Sequence, residues 1–150
     1  MKNLILILLL FLLNSCGYTS IYKNLENQDF QVIITEIEGD KDINNYIENQ
    51  INLYSNKNSI NKINVTIITE YNKEELAKST SGSVTDYKLS AKSIFTIYFN
   101  EKSKKVIFNE SINIKNQTNT FEQDSYEKNI KINFASSLKE KMISEISSLK

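Results

Sequence analysis

The sequence predicts an α+β fold: a two-layer sandwich in which a mostly antiparallel four-stranded sheet carries two helices packed on one face. Three observations lead there. The stretch from Asp86 to Phe99, DYKLSAKSIFTIYF, sets Tyr87, Leu89, Ala91, Phe95, Ile97 and Phe99 on one side of a strand and Asp86, Lys88, Ser90, Lys92 and Thr96 on the other, because successive strand side chains point to opposite faces. After a polar, turn-like Asn100 to Ser103, Val106, Phe108, Ile112 and Ile114 alternate with Asn109, Ser111 and Asn113, as an antiparallel return strand would. A hairpin alone is marginal in water, and one amphipathic helical stretch on each side of it in sequence can cover its dry face.

In chain order, Phe30 to Ile37 is rich in β-branched residues, with Phe30, Val32 and Ile34 against Ile33 and Ile37, and reads as a strand. Gly39 breaks it, and Asp40 or Asp42 can cap a helix. Ile43, Tyr46, Ile47, Ile51 and Tyr54 then fall at offsets of 0, 3, 4, 8 and 11, one face of a helix ending near Asn56. Ile63, Val65, Ile67 and Tyr71 alternate with Asn64, Thr66 and Glu70 as a second strand. From Asn72 to Val84 the pattern is irregular: Glu74, Glu75, Leu76 and Ala77 suit a brief helical turn, and Ser79 to Ser83 a protruding flexible turn.

Beyond the hairpin, Lys115 to Gln123 reads as a polar loop with Phe121 as its only large apolar residue. Asp124 and Glu127 stand in the capping-box arrangement. Tyr126, Ile130, Phe134, Leu138, Met142, Ile146 and Leu149 follow at spacings of four and three, with Ala135 and Ile143 widening the stripe. One helix of about 24 residues, roughly 36 Å long, would hold them all. Glu127 and Lys131 can pair across one turn on its wet side. Residues 30–150 thus form one domain.

Residues 1–15 are expected to be a removed signal peptide. Lys2 supplies a positive start, and Leu4 to Leu13 is an apolar run of ten residues, too short to span a bilayer as a helix. Leu13-Asn14-Ser15-Cys16-Gly17 resembles the lipobox of bacterial lipoproteins, with Asn14 where a small residue is usual; there the cysteine becomes the acylated first residue of the mature chain. Residues 16–29 would be a lipidated tether. Cys16 is the only cysteine, so an exported chain has no internal disulfide to form with it. The cofactor prediction is none, beyond a covalent diacylglycerol and an N-acyl chain on Cys16. In such lipoproteins an aspartate after the cysteine favours the inner membrane, and Gly17 favours the outer one.

The remaining 135 residues suit one domain. Lys and Arg number 18, and Asp and Glu 18, so no basic excess recommends nucleic acid as a partner. All the basic residues are lysine, and there is no histidine, tryptophan or proline. With no histidine, no spare cysteine and no Gly-rich phosphate loop, nucleophilic, zinc and nucleotide chemistries lack their usual residues. Carboxylates remain: Glu74 beside Glu75, and Glu110 on the apolar face of the return strand, where burial can raise a pKa. Solvated roles suit them better, and we expect no enzyme. Asn64-Val65-Thr66 matches an N-glycosylation acceptor, which a bacterial-type signal makes irrelevant.

Cys16-Gly17-Tyr18 with Tyr22 a few residues on, Gly82-Ser83-Val84-Thr85-Asp86-Tyr87-Lys88-Leu89 as a turn into a Tyr-x-Leu strand, and Tyr126 with Ala135 nine residues later in a long amphipathic helix together resemble the LPS-assembly lipoprotein (LptE) family. The family usually has arginines in its loops, and this chain has none. The resemblance implies a non-enzymatic outer-membrane lipoprotein on the periplasmic side. Such a protein plugs the lumen of an LptD-type β-barrel, assists its assembly and binds lipopolysaccharide. Phosphates call for cations, so Lys73, Lys78 and Lys88 with Ser81 and Gly82 are the expected lipopolysaccharide contacts. Lys102, Lys104 and Lys105 flank the hairpin end. The alternative is a lipid-anchored periplasmic adaptor of another envelope complex.

Overall fold

The computed structural model describes residues 30–149. The signal segment, Cys16 and the tether lie outside the described residues. Strand β1 (Gln31–Gly39) leads into helix α1 (Lys41–Tyr54), which carries the chain back to start β2 (Lys62–Lys78). Strands β3 (Val84–Phe99) and β4 (Lys102–Lys115) and helix α2 (Thr120–Ser147) follow. The strands lie side by side in the order β1-β2-β3-β4. β1 pairs parallel with β2 across the α1 crossover, and the other two pairings are antiparallel. The observed fold is the predicted α+β sandwich.

Why the helices share one face follows from the register. Val65 stands opposite Ile97, and Ile67 opposite Phe95. These four are fully buried, together with Leu89 of β3, Ile43, Ile47 and Ile51 of α1, and Ala135, Leu138, Met142 and Ile146 of α2. Removing that much apolar surface from water is the dominant stabilising term. Among the described residues the opposite face carries no helix. There Ile68, Ile94 and Ile107 form one cross-strand row, bordered by Glu70, Lys92 and Asn109 on one side and Thr66, Thr96 and Lys105 on the other.

The corner between β1 and α1 is tightly constrained. Gly39 has φ +105°, and a Cβ on it would lie 1.8 Å from the backbone oxygen of Thr69. The Asp40 carboxylate then accepts hydrogen bonds from the N–H groups of Asp42 and Ile43, at 3.1 and 3.0 Å, capping α1. Asn44 donates to the carbonyl of Glu38 at 3.0 Å, and Thr69 Oγ1 donates to Asn44 Oδ1 at 2.7 Å. Strand, helix and neighbouring strand are tied at one point.

Three local expectations are corrected. β2 continues through Lys78, so Glu74 to Ala77 are strand and not a helical turn; Asn72 to Lys78 pair with Ser90 back to Val84, with register shifts around Ala77. α2 begins at Thr120 and spans 28 residues, because Asn119 Oδ1 accepts from Phe121 N at 2.9 Å and Glu122 N at 3.4 Å. The expected Glu127–Lys131 pair gives way to tertiary partners: Glu127 bonds Lys73, and Lys131 reaches Asp40 at 2.8 Å and Asp42 at 3.0 Å.

Candidate functional site at the hairpin end

β2 and β3 are joined by a short turn that closes on itself. The N–H of Ser79 donates to the carbonyl of Ser83 at 2.8 Å, and that of Gly82 donates to the carbonyl of Ser79 at 2.9 Å. The hydroxyls of Ser79 and Ser81 lie 2.8 Å apart. Gly82 has φ +84° with open space where a Cβ would be, so it serves the backbone bend and not a close approach. Asn116, just past β4, donates its side-chain amide to Val84 O at 2.9 Å and its N–H to Thr85 O at 2.8 Å. The tip is therefore supported from the end of β4.

The five predicted contact residues divide. Lys78, Ser81 and Gly82 gather at the exposed tip. Lys78 pairs with Glu75 at 2.9 Å, and that hydrogen bond pushes its pKa above the ordinary lysine value. Lys73 stands opposite Leu89, on the helix-bearing face. Its ammonium bonds Glu127 and lies 4.1 Å from the centre of the Tyr87 ring, a favourable place for a cation. Lys88 stands opposite Glu74 and Asn113, on the open face. Lys102, Lys104 and Lys105 are at the other end of β3, where Lys104 pairs with Glu145 at 2.6 Å.

The carboxylates weighed as acid–base groups are separated as well. Glu74 and Glu75 are adjacent in a strand, so their side chains take opposite faces. Glu110 does not have the raised pKa its apolar setting suggested. Burial pushes it up, but hydrogen bonds from Lys141 Nζ at 2.5 Å and Ser137 Oγ at 2.6 Å outweigh burial and hold it below the ordinary carboxylate value. Among the described residues no cluster of three or more His, Cys, Asp or Glu side chains suits a metal ion, and no helix is long and apolar enough to cross a membrane.

Neither a protein-family model nor a curated protein sequence matches the chain. Solved structures do. The chain is similar to rare lipoprotein B from Shewanella oneidensis, at 14% identity and a TM-score of 0.60, covering 79% of this chain and 98% of that one. It is also similar to a provisionally described lipoprotein from Caulobacter crescentus, at 8% identity and a TM-score of 0.53, covering 85% and 96%. At such identities the likeness is one of fold. This is a fold that solved lipoproteins adopt.

Sequence reasoning missed the support behind the tip. Gln123, assigned to a loop, is buried in the first turn of α2; its carbonyl oxygen accepts from Gln117 N at 2.8 Å and its amide donates to Glu127 at 2.5 Å. Glu127 in turn holds Lys73 over Tyr87. The signal was present as Asn119 standing three residues before Glu122, the same capping spacing that had been assigned to Asp124 and Glu127.

Proposed function

We propose that this chain is an acylated outer-membrane lipoprotein of the lipopolysaccharide transport machinery, whose domain plugs an LptD-type β-barrel, assists its assembly and contacts lipopolysaccharide. The observation that carries this reading is one conjunction: a lipobox-like Leu13-Asn14-Ser15-Cys16 precedes a domain whose fold matches rare lipoprotein B over 98% of that chain. Two or more acyl chains on Cys16 would anchor the chain stably, each buried CH₂ contributing about 0.8 kcal/mol. Barrel lumens are polar. The open sheet face offers such a wall hydrogen bonds from Asn72, Ser90 and Ser111 in one row and Thr66 and Thr96 in another, with the Ile68, Ile94 and Ile107 row between them as its apolar part.

Lys78 is the best placed of the lysines for a phosphate, since its partner Glu75 is itself half-exposed and can yield to a competing anion. Photo-crosslinking from Ser81 in living cells is expected to capture lipopolysaccharide or a large outer-membrane barrel, and the chain should co-purify with that barrel one to one. A soluble partner, or none, would favour the adaptor. Neutralising Lys73, Lys78 and Lys88 together is expected to weaken lipopolysaccharide binding by the purified protein; unchanged affinity would remove the assignment of these residues.

A further inference from the structure

Phe30, where the described chain begins, is also a wall of a cleft. It stands with Ile63 of β2, Phe99 at the end of β3, Ile146 in the last turn of α2 and Leu149 just past it around about 360 Å³. Asn61 and Asn100 complete the lining. That volume is within the range of ligand cavities, which are mostly apolar with a few polar groups. A second hollow of about 370 Å³ shares Phe99 and Asn100 with the first, and its further walls include Lys62, Asn64, Lys102 and Ser103. An apolar slot thus adjoins a polar one.

The chain enters the domain along the same walls. Asn56 N donates to the carbonyl of Phe30 at 3.3 Å, and Gln31 N to that of Asn61 at 2.8 Å, so the residue before Phe30 starts beside the cleft. Upstream, Lys23-Asn24-Leu25-Glu26-Asn27-Gln28-Asp29 holds a single apolar residue, Leu25. It is five positions from Phe30, a reach of at most roughly 18 Å. Glu26 beside it and Asp29 are acidic, and in the polar hollow the exposed Lys62 and Lys102 outnumber Glu101. A lone aliphatic side chain flanked by carboxylates matches an apolar slot flanked by cations.

We propose that the cleft is the seat of the segment upstream of Phe30, with Leu25 inserted among Phe30, Ile63, Phe99, Ile146 and Leu149, and Glu26 turned towards Lys62 and Lys102. The contact depends on neither acylation, the barrel nor lipopolysaccharide, and it holds for any orientation of the domain. Its consequence is a shorter leash. With Leu25 seated, nine residues lead from Cys16 to the docked point in place of fourteen to Phe30, which cuts the longest reach from roughly 50 Å to roughly 32 Å. On an acylated chain, a shorter leash confines the domain and raises its effective concentration at a partner in the same membrane.

The chain has no tryptophan, so Leu25→Trp and Ser20→Trp each create a single fluorescent reporter. In the full-length mature chain in detergent micelles, position 25 is expected to emit further to the blue and to be shielded several-fold from acrylamide relative to position 20. Adding Leu149→Lys in the cleft wall, with the fold checked by retained amide protection at Val65 and Ile67, is expected to abolish that shielding. Acrylamide quenching at position 25 equal to that at position 20 overturns the proposal and leaves the cleft to another occupant, such as a free acyl chain. Shielding that survives Leu149→Lys overturns it too, because it places residue 25 in the micelle or elsewhere on the protein. Should Leu149→Lys not fold, Leu25→Asp decides, since it leaves the cleft walls intact: trypsin is expected to cut after Lys23 several-fold faster than in the parent, and equal rates overturn the contact.

Discussion

The two halves of β2 are strands for different reasons. From Ile63 to Thr69 every second residue is buried beneath the helices, whereas from Asn72 to Lys78 all seven residues are exposed. The first half is fixed by burial, and a one-residue slip there would turn Ile63, Val65 and Ile67 out to water. The second half has no such penalty. It is held by its ladder with β3, by Lys73 bound to Glu127, and by the turn that reverses the chain. Core stability and surface presentation are thus divided along a single strand.

Two glycines test that division. Gly39→Ala, at the corner that opens α1, would drive a Cβ to 1.8 Å from the oxygen of Thr69 in the covered half. We expect a loss above ~4 kcal/mol, the range reserved for core disruption, seen as a fall in the urea midpoint or as failure to fold. Gly82→Ala, at the tip of the uncovered half, meets no atom within 4 Å and carries only the left-handed backbone strain. Its expected cost is about 1 to 2 kcal/mol, and amide exchange should quicken at Ser79 and Gly82 while the protection of Val65 and Ile67 is retained. Equal losses from the two substitutions would mean that β2 behaves as one cooperative unit.

The same division explains what could be read in advance. Wherever a strand has one dry face, apolar alternation revealed it: Ile63 to Ile67 and Leu89 to Ile97 are buried as expected. The caps were legible in part, since Asp40 caps α1 as one of its two candidates, but Asn119 was passed over for Asp124. Asn72 to Lys78 carry no apolar period, because their strand conformation is supplied by β3 and not by their own side chains. Long-range ion pairs were the least legible. Glu127 and Lys131 sit at ideal helical spacing, yet each meets a better-held partner across the fold, at Lys73 and at Asp40 with Asp42.

Where the covered region meets β4, Glu110 offers a pH-dependent probe. Its pKa is lowered from 4.5, so its contribution to stability is present above that value and is lost as pH falls through it to the folded-state pKa. Glu110→Gln should cost about 1 kcal/mol at neutral pH, discounted because Lys141 is partly exposed. The difference between parent and variant urea midpoints should shrink as pH drops below about 4.5. A gap that stays constant with pH would make the contact one of shape and not of charge.

The junction between the two halves is Tyr71, and the smallest effect is expected there. Its hydroxyl is buried with no hydrogen-bond partner among the described residues, and Lys131 Nζ stands 4.5 Å from the ring centre. Burial first, and the nearby Glu127 carboxylate second, push its pKa up from 10.0 to about 12, against the pull of Lys131. The unfolded chain therefore loses this proton first as pH rises: the contribution is full below pH 10 and disappears between 10 and about 12. Tyr71→Phe keeps the ring under Lys131 and removes the unpaired hydroxyl, so stability at neutral pH should hold or rise by up to about 1 kcal/mol. The alkaline decline above pH 10 should flatten by the share that Tyr71 supplies. A loss of stability at neutral pH would reveal a partner for that hydroxyl, and the junction would then be pinned by a polar contact and not sealed by the ring.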